Sequence, residues 1–308
     1  MHHAITVLAD ELRRLKASGV KTVLVSDESI ALLRRAAVRG RPALSPALTS
    51  APLPSPVMAK PKELPAAPAR VFAVAAIEAP VAPKIPAPTP FTLPAGAKSE
   101  QIAALRERIL SDTVCQANTR SGKQIVVGVG SLDAKIMFVG EAPGAEEEEQ
   151  GEPFVGPSGK LLTRMIGAMG LSRADVYIAN IMNWRPQLKE NDDGVQFGNR
   201  PPTTDEMNYC LPYLRAQIEV VNPSLLVALG TTAAQGLLGA GAFKTLAEVR
   251  GRWTEFASRP LMVTYHPSYI LRNQSNRSKR MIWEDLLRVM EKAGLPVSDK
   301  QRNFFLDK

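Results

Sequence analysis

The sequence predicts an α/β protein built on a mostly parallel sheet with helices on both faces. Two observations carry that expectation. From about Ser99 onward, short apolar runs with strand character alternate with helical patterns, the signature of strand–helix–strand units. Three of those runs then end in polar residues that a core would not request: Gly140-Glu141 after KIMFV, Asn180 after VYIA and His266 after LMVTY. In parallel α/β sheets ligands bind outside the carboxyl ends of the strands, so those three ends predict a site.

The elements follow in order. Ile5, Leu8, Leu12 and Leu15 recur near a helical period, VKTVLVS has strand character and SDESIALLRRAAV is helical, which predicts a small N-terminal segment over residues 1–40. Fourteen of the chain's 25 prolines fall between Arg41 and Gly96 among Ala and Ser, so residues 41–97 are expected to form a disordered linker. The main domain is expected over 98–295. Within it EQIAALRERIL predicts a helix, QIVVGVG and AKIMFVG strands, SGKLLTRMIGAMG a helix closed by Gly170, and ADVYIANIM a strand. Thr203 and Glu206 have capping-box spacing at the start of TTDEMNYCLPYLRAQIEVV. The strand SLLVALG, a short helix from Thr231, a hairpin-like EVRGRWTEFA, the strand LMVTYH and the helix RSKRMIWEDLLRVMEKAG complete it, and residues 296–308 form a tail.

Charge and composition narrow the function. The chain carries 38 Lys and Arg against 30 Asp and Glu, a net charge of +8, which favours a polyanionic partner such as nucleic acid. No apolar run is long enough to span a bilayer and the first 20 residues are charged throughout, so a soluble cytoplasmic protein with no membrane partner is expected. Two cysteines, Cys115 and Cys210, are too few for a four-thiolate site.

Each motif has a plain and a functional reading. Gly140-Glu-Ala-Pro-Gly144 is ordinary turn chemistry, or it holds a carboxylate at a strand end to orient a water or stabilise positive charge. Glu146 to Glu149 fit a solvated helical first turn. Ser158-Gly-Lys160 is not a phosphate-cradling loop, because Phe154 stands where the first glycine belongs and Leu161 where Ser or Thr belongs. A helix starting at Ser158 can still hold one backbone phosphate, and Phe154 is either core or a platform for a base. Asn180 is a turn residue or reads a base edge, since its amide offers donor and acceptor side by side. His266 is a structural or a catalytic histidine, the catalytic reading gaining from Asn180 and Glu141 on the same sheet edge.

Taken together, VGEAPGAEEEEQGEPFVGPSGKLL, VYIANIMNWRP, PTTDEMNYCLPYLRAQIEVVNPSLLVALGTTAA and YHPSYILRN resemble the uracil-DNA glycosylase superfamily, nearest its family 4, the iron–sulfur type. The resemblance runs from about Thr113 to Met290. It implies a three-layer α/β/α sandwich with a central four-stranded sheet, and hydrolytic excision of uracil from DNA by a monofunctional enzyme of base excision repair. By position it makes Glu141 and His266 the catalytic pair, and Ala142, Glu147, Phe154 and Asn180 the base-binding set, Glu147 filling the space a thymine methyl would need. Contacts to DNA are expected from Ser158, Lys160, Ser268, Leu271, Arg272 and Arg277, with Lys279 and Arg280 beside them and residues 267–273 as a loop entering the minor groove. Uracil-containing DNA is the implied partner, free uracil the product, a monomer the working form and the bacterial nucleoid its place.

The departures from family 4 set further expectations. Cys115 and Cys210 match two cluster ligands, but the others are replaced by Asp112 or Thr113 and by Trp184, so no iron–sulfur cluster and no other cofactor is expected. The segment 188–199 is an insertion without histidine, which argues against a stable covalent adduct with DNA. Gly144-Ala145 leaves other deaminated bases open as substrates. The alternative to an enzyme is a DNA-binding or recruitment module of the same fold that has lost its chemistry.

Overall fold

In the computed structural model, which describes residues 85–188, 196 and 198–306, six strands form one sheet in the order β1-β3-β2-β4-β6-β5. Helices α1 (Lys98–Ser111) and α2 (Thr113–Asn118) precede β1 (Val129–Gly130) and β2 (Ile136–Gly140). Helices α3 (Ala145–Gln150) and α4 (Pro157–Ala168) lead to β3 (Tyr177–Asn180), α5 (Thr204–Val221) and β4 (Leu225–Leu229). After β4 come α6 (Thr231–Leu238), α7 (Leu246–Val249), β5 (Trp253–Phe256), β6 (Arg259–Thr264), α8 (Pro267–Arg272), α9 (Asn276–Lys292) and α10 (Asp299–Arg302).

The expected four-stranded parallel sheet is present as β3-β2-β4-β6. Two short antiparallel edges, β1 on β3 and β5 on β6, raise the count to six. Alternation along β2 assigns the layers. Met137 and Val139 face one core with Leu105, Tyr213 and Ile218, while Ile136 and Phe138 face the other with Leu162, Ile166 and Leu286. Residues on both faces are fully buried, which is why the strands are apolar throughout.

The order of strands also fixes where a ligand can enter. From β2 the chain moves to β3 on one side, then returns to the other side of β2 as β4. That reversal opens a crevice at the carboxyl ends of β2 and β4, the place where such sheets bind ligands. Behind β6, the fully buried Asp285 accepts from Thr264 Oγ1 at 2.7 Å and from Arg250 Nη2 at 2.9 Å, tying α9 to the strand just before Tyr265 and His266. Burial costs each charge its solvation, and the pairing and hydrogen bonds of Asp285 and Arg250 offset that cost.

Several expectations need correcting. Of QIVVGVG only Val129–Gly130 is a strand; Val126 N–H instead bonds to Asn183 O at 2.8 Å. The hairpin joins β5 to β6 through Ala257 and Ser258, both left-handed with φ of 50° and 58°, and EVRGRW leads into it through α7. Residues 267–272 form helix α8 rather than a loop. The expected linker stops before residue 97: Ile85, Phe91 and Leu93 pack on the core, and the Phe91 ring lies 5.4 Å from that of Tyr213 with Arg108 over its face. The expected tail is packed too, with Trp283 Nε1 donating to Gln301 O at 2.6 Å and Phe304 5.3 Å from Trp283. The N-terminal segment 1–40 and the linker to residue 84 lie outside the described residues, as do 189–195 and 197 of the insertion.

Close packing at Gly159 gives a direct test. A Cβ there would overlap the carbonyl of Phe154, whereas Gly167 in the same helix faces open space. Gly159→Ala is expected to lower stability by about 1–3 kcal/mol in urea titration, and Gly167→Ala to hold or raise it.

Candidate active site

A cleft of about 590 Å³ lies over the crevice, lined by Glu141 and Ala142 from the end of β2, Thr232 from α6, and His266, Ser268 and Arg272 from the end of β6 and α8. Ser158 at the start of α4 also faces it. Asn180 and Phe154 stand behind this lining, both 6% exposed. Asn180 pairs with Gly140 across β2 and β3, so two of the predicted strand ends meet in register.

Gly140 is where they converge. A Cβ on it would overlap the Asn180 carboxamide and lie 2.5 Å from the Phe154 ring. The missing side chain therefore leaves room for a ring and an amide to approach the same backbone. Phe154 itself takes φ of 56°, in the left-handed region, at a cost of about 1–2 kcal/mol for a residue with a side chain. Its ring centroid is 5.6 Å from that of His266. The Oδ1 atom of Asn180 is buried with no hydrogen-bond partner among the described residues, an arrangement that costs free energy unless something else satisfies it.

His266 is neutral, with its proton placed. Its Nδ1 is 2.9 Å from Ser268 Oγ and 3.2 Å from Ser268 N. A backbone N–H can only donate, so Nδ1 is the acceptor and the proton sits on Nε2. Burial, then the Arg272 charge, brings its pKa down to about 4. Glu141 is shifted the other way: burial raises its pKa, opposed by a hydrogen bond from Thr232. The site thus favours a neutral donor and discourages a carboxylate it nevertheless places at the strand end.

The acidic run does not divide as its composition suggests. Glu147 is a clasp: Oε1 accepts from Val155 N at 3.0 Å and Gly156 N at 2.9 Å, and Oε2 from Gly144 N at 3.0 Å. Its carboxylate holds the loop that carries Phe154. Glu148, expected in solvent, is 3% exposed and pairs with Arg120 and with Arg185 at 2.8 Å. Among the expected DNA contacts, Lys160 and Arg277 are exposed outside the cleft. Leu271, 37% exposed, lines a separate apolar groove with Leu161, Met165 and Trp283. Thr232 escaped the sequence reading, although Gly-Thr-Thr directly follows β4 and marks a fourth polar strand end.

A sequence profile of the Uracil DNA glycosylase superfamily matches residues 127–287, the span that holds every one of these strand ends. The chain belongs to the uracil-DNA glycosylase superfamily. Among its relatives, the Type-4 uracil-DNA glycosylase of Thermotoga maritima is 39% identical over 190 residues, 61% of this chain and 93% of that protein. The Type-4 enzyme of Archaeoglobus fulgidus is 37% identical over 180 residues, 56% of this chain and 84% of that protein. The Type-4 enzyme of Saccharolobus solfataricus is 39% identical over 176 residues, 55% and 76% of the two chains. The nearness to family 4 thus stands.

That kinship corrects the cofactor expectation. The relatives are named Type-4 enzymes, the type to which the sequence resemblance attaches an iron–sulfur cluster, so two missing cysteines do not justify the expectation of a cofactor-free protein. The residues present nevertheless do not make a four-thiolate set. Cys115 and Cys210 are buried side by side, and contact with Cys210, then burial, push the Cys115 thiol up. Asp112 caps α2 through Cys115 N at 2.7 Å and accepts from Tyr213 Oη at 2.7 Å and Tyr209 Oη at 2.8 Å. Trp184, 1% exposed, has an Nε1 without a hydrogen-bond partner among the described residues. Among the described residues no three His, Cys, Asp or Glu side chains gather as metal ligands, and no step below passes through a cluster. Nor is any described helix long and apolar enough to cross a membrane.

The histidine geometry is testable by itself. Nitrogen-15 NMR is expected to show His266 as the Nε2–H tautomer, neutral down to about pH 4. Because the folded value lies below the unfolded value of about 6.5, this residue's contribution to stability is complete above that pH and is lost as pH falls toward the folded value.

Proposed function

We propose that this chain is a monofunctional glycosylase that flips uracil out of DNA and hydrolyses its bond to deoxyribose, initiating base excision repair. The observation that carries the reading is the buried, unpartnered Asn180 Oδ1 beside the Phe154 ring and below the cleft. Uracil supplies what that atom lacks: its N3–H donates to Oδ1 while the amide nitrogen of Asn180 donates to O4. Phe154 stacks on the base, and the backbone N–H of Ala142 adds a donor at its edge. Extrusion costs a few kcal/mol of lost stacking, which these contacts offset in part.

Bond cleavage separates charge, and the site has a group for each half. As the glycosidic bond breaks, its electron pair stays on uracil and negative charge grows at O2; the fixed Nε2–H of His266 donates there. The sugar turns cationic, and the Glu141 carboxylate stabilises it, orients the water that attacks C1′ and takes the proton that this water gives up. Because burial opposes ionisation of Glu141, that carboxylate gains most when a positive charge appears beside it. Water is the nucleophile, with no lysine lyase step. Arg272 and Ser158, with Lys160, Ser268, Leu271 and Arg277, meet the DNA backbone and groove, and the enzyme works as a monomer. Ile85, Phe91 and Leu93 pack on the core, so deletion of residues 1–84, which spares them, is expected to leave excision intact. The relatives named as glycosylases favour this over a module that only binds DNA.

Incubation with uracil-containing oligonucleotide is expected to release free uracil and leave alkali-labile sites that are not nicked without alkali. His266→Ala should slow single-turnover excision about 10²–10³-fold, as for loss of one donor to a developing anion. Asn180→Ala should lose discrimination between uracil and other bases; parental rates in both variants would refute the assignment. The rate should also show an acid limb above the ordinary carboxylate range, set by Glu141 and abolished in Glu141→Gln, with no inflection from His266 between about pH 5 and 8.

A further inference from the structure

The geometry points to Arg173 as a positioning residue that holds the Phe154 ring ready for the base, an inference that rests on the glycosylase reading above. Arg173 lies in a short 3-10 turn, Arg173–Asp175, at the start of the segment that ends in Asn180. Its two terminal nitrogens reach successive carbonyls of the Phe154 loop: Nη2 donates to Pro153 O at 2.9 Å and Nη1 to Phe154 O at 3.1 Å. Nη1 also lies 3.4 Å from Thr163 Oγ1 of α4. The turn that carries the arginine is itself fastened, since Asp175 Oδ2 accepts from both Ser172 N and Ser172 Oγ at 2.7 Å.

What this brace opposes is visible in the backbone. Phe154 sits in the left-handed region, a conformation that a residue with a side chain leaves unless its surroundings fix it. Glu147 fixes the following amides of Val155 and Gly156, and Arg173 fixes the carbonyls of Pro153 and Phe154. The peptide unit after the ring is therefore held by opposite charges, its carbonyl by Arg173 and its amide by Glu147, while Arg173 alone holds the unit before it. A planar fork presents two nitrogens in fixed geometry to two successive carbonyls, a match that the single nitrogen of an ammonium on a flexible stem does not reproduce. Arg173 also joins the segment of the edge-reading Asn180 to the loop of the stacking ring, so the platform and the reader keep one spacing.

The test compares excision with recognition. The probes are a uracil-containing duplex, a duplex with pseudouridine, whose carbon–carbon bond resists cleavage, and an undamaged duplex. Arg173→Gln is expected to slow single-turnover excision about 10- to 100-fold, the scale for loss of fine positioning, and to lose preference for pseudouridine by a similar factor. Binding to undamaged DNA should not change. Arg173→Lys should fall between parent and Arg173→Gln. In a Phe154→Leu background Arg173→Gln should add little, because the ring it positions is gone. Parental excision in Arg173→Gln, or additive losses in the double variant, would overturn the brace. Should Arg173→Gln fail to fold by thermal melting, Arg173→Lys decides, and a full parental rate from it overturns the two-carbonyl clamp. An inactive parent overturns the glycosylase reading itself.

Discussion

The site depends on close approach at Gly140, where a ring and an amide occupy the space a side chain would take. The in-register pairing of β2 with β3 brings Asn180 to that position, and the loop after α3 brings Phe154. Neither arrives by itself. The loop is held in a conformation its residue disfavours by Glu147 beneath it and Arg173 beside it, while the lack of a Cβ at Gly159 lets α4 press against its carbonyl. A second glycine performs the same service across the crevice: Gly230, at φ of 93°, lets the end of β4 pass close to His266, and its N–H bonds to Thr264 O at 2.8 Å.

Electrostatics in the cleft follow from the same packing. Removing water disfavours ionisation of both Glu141 and His266, but the consequences differ because one is anionic and the other cationic when charged. In the proposed reaction the neutral imidazole keeps its Nε2–H for the anionic leaving group, and the poorly solvated carboxylate gains from a cationic sugar. Outside the cleft the charges do structural work: Glu148 between Arg120 and Arg185, and Asp285 with Arg250, fasten segments far apart in the chain.

Strand ends were legible in the sequence because they depend on local pattern. Glu141, Asn180 and His266 each follow an apolar run, and parallel topology brings such ends to one edge. The acidic run was not legible. A six-residue helix is too short to display a period, and which glutamate turns inward depends on Arg120 and Arg185, 28 and 37 residues from Glu148. The β5–β6 turn was hidden because Ala257 and Ser258 do not advertise left-handed backbone as Asn-Gly would. Proline-rich composition likewise masked Phe91, whose place is set by Tyr213 and Arg108. Arg173 belongs to no motif of the sequence, and only the fold brings it to its two carbonyl partners.

The placement of the His266 proton has an evolutionary corollary. The group that dictates it is the main-chain amide of residue 268, at the second position of α8, and every amino acid except proline brings that amide. The serine hydroxyl adds a second bond, yet its loss leaves the amide donor in place. The tautomer is thus inherited from the path of the chain and not from the identity of a neighbour. Sequence drift at position 268 can proceed while the proton on the imidazole stays where it is.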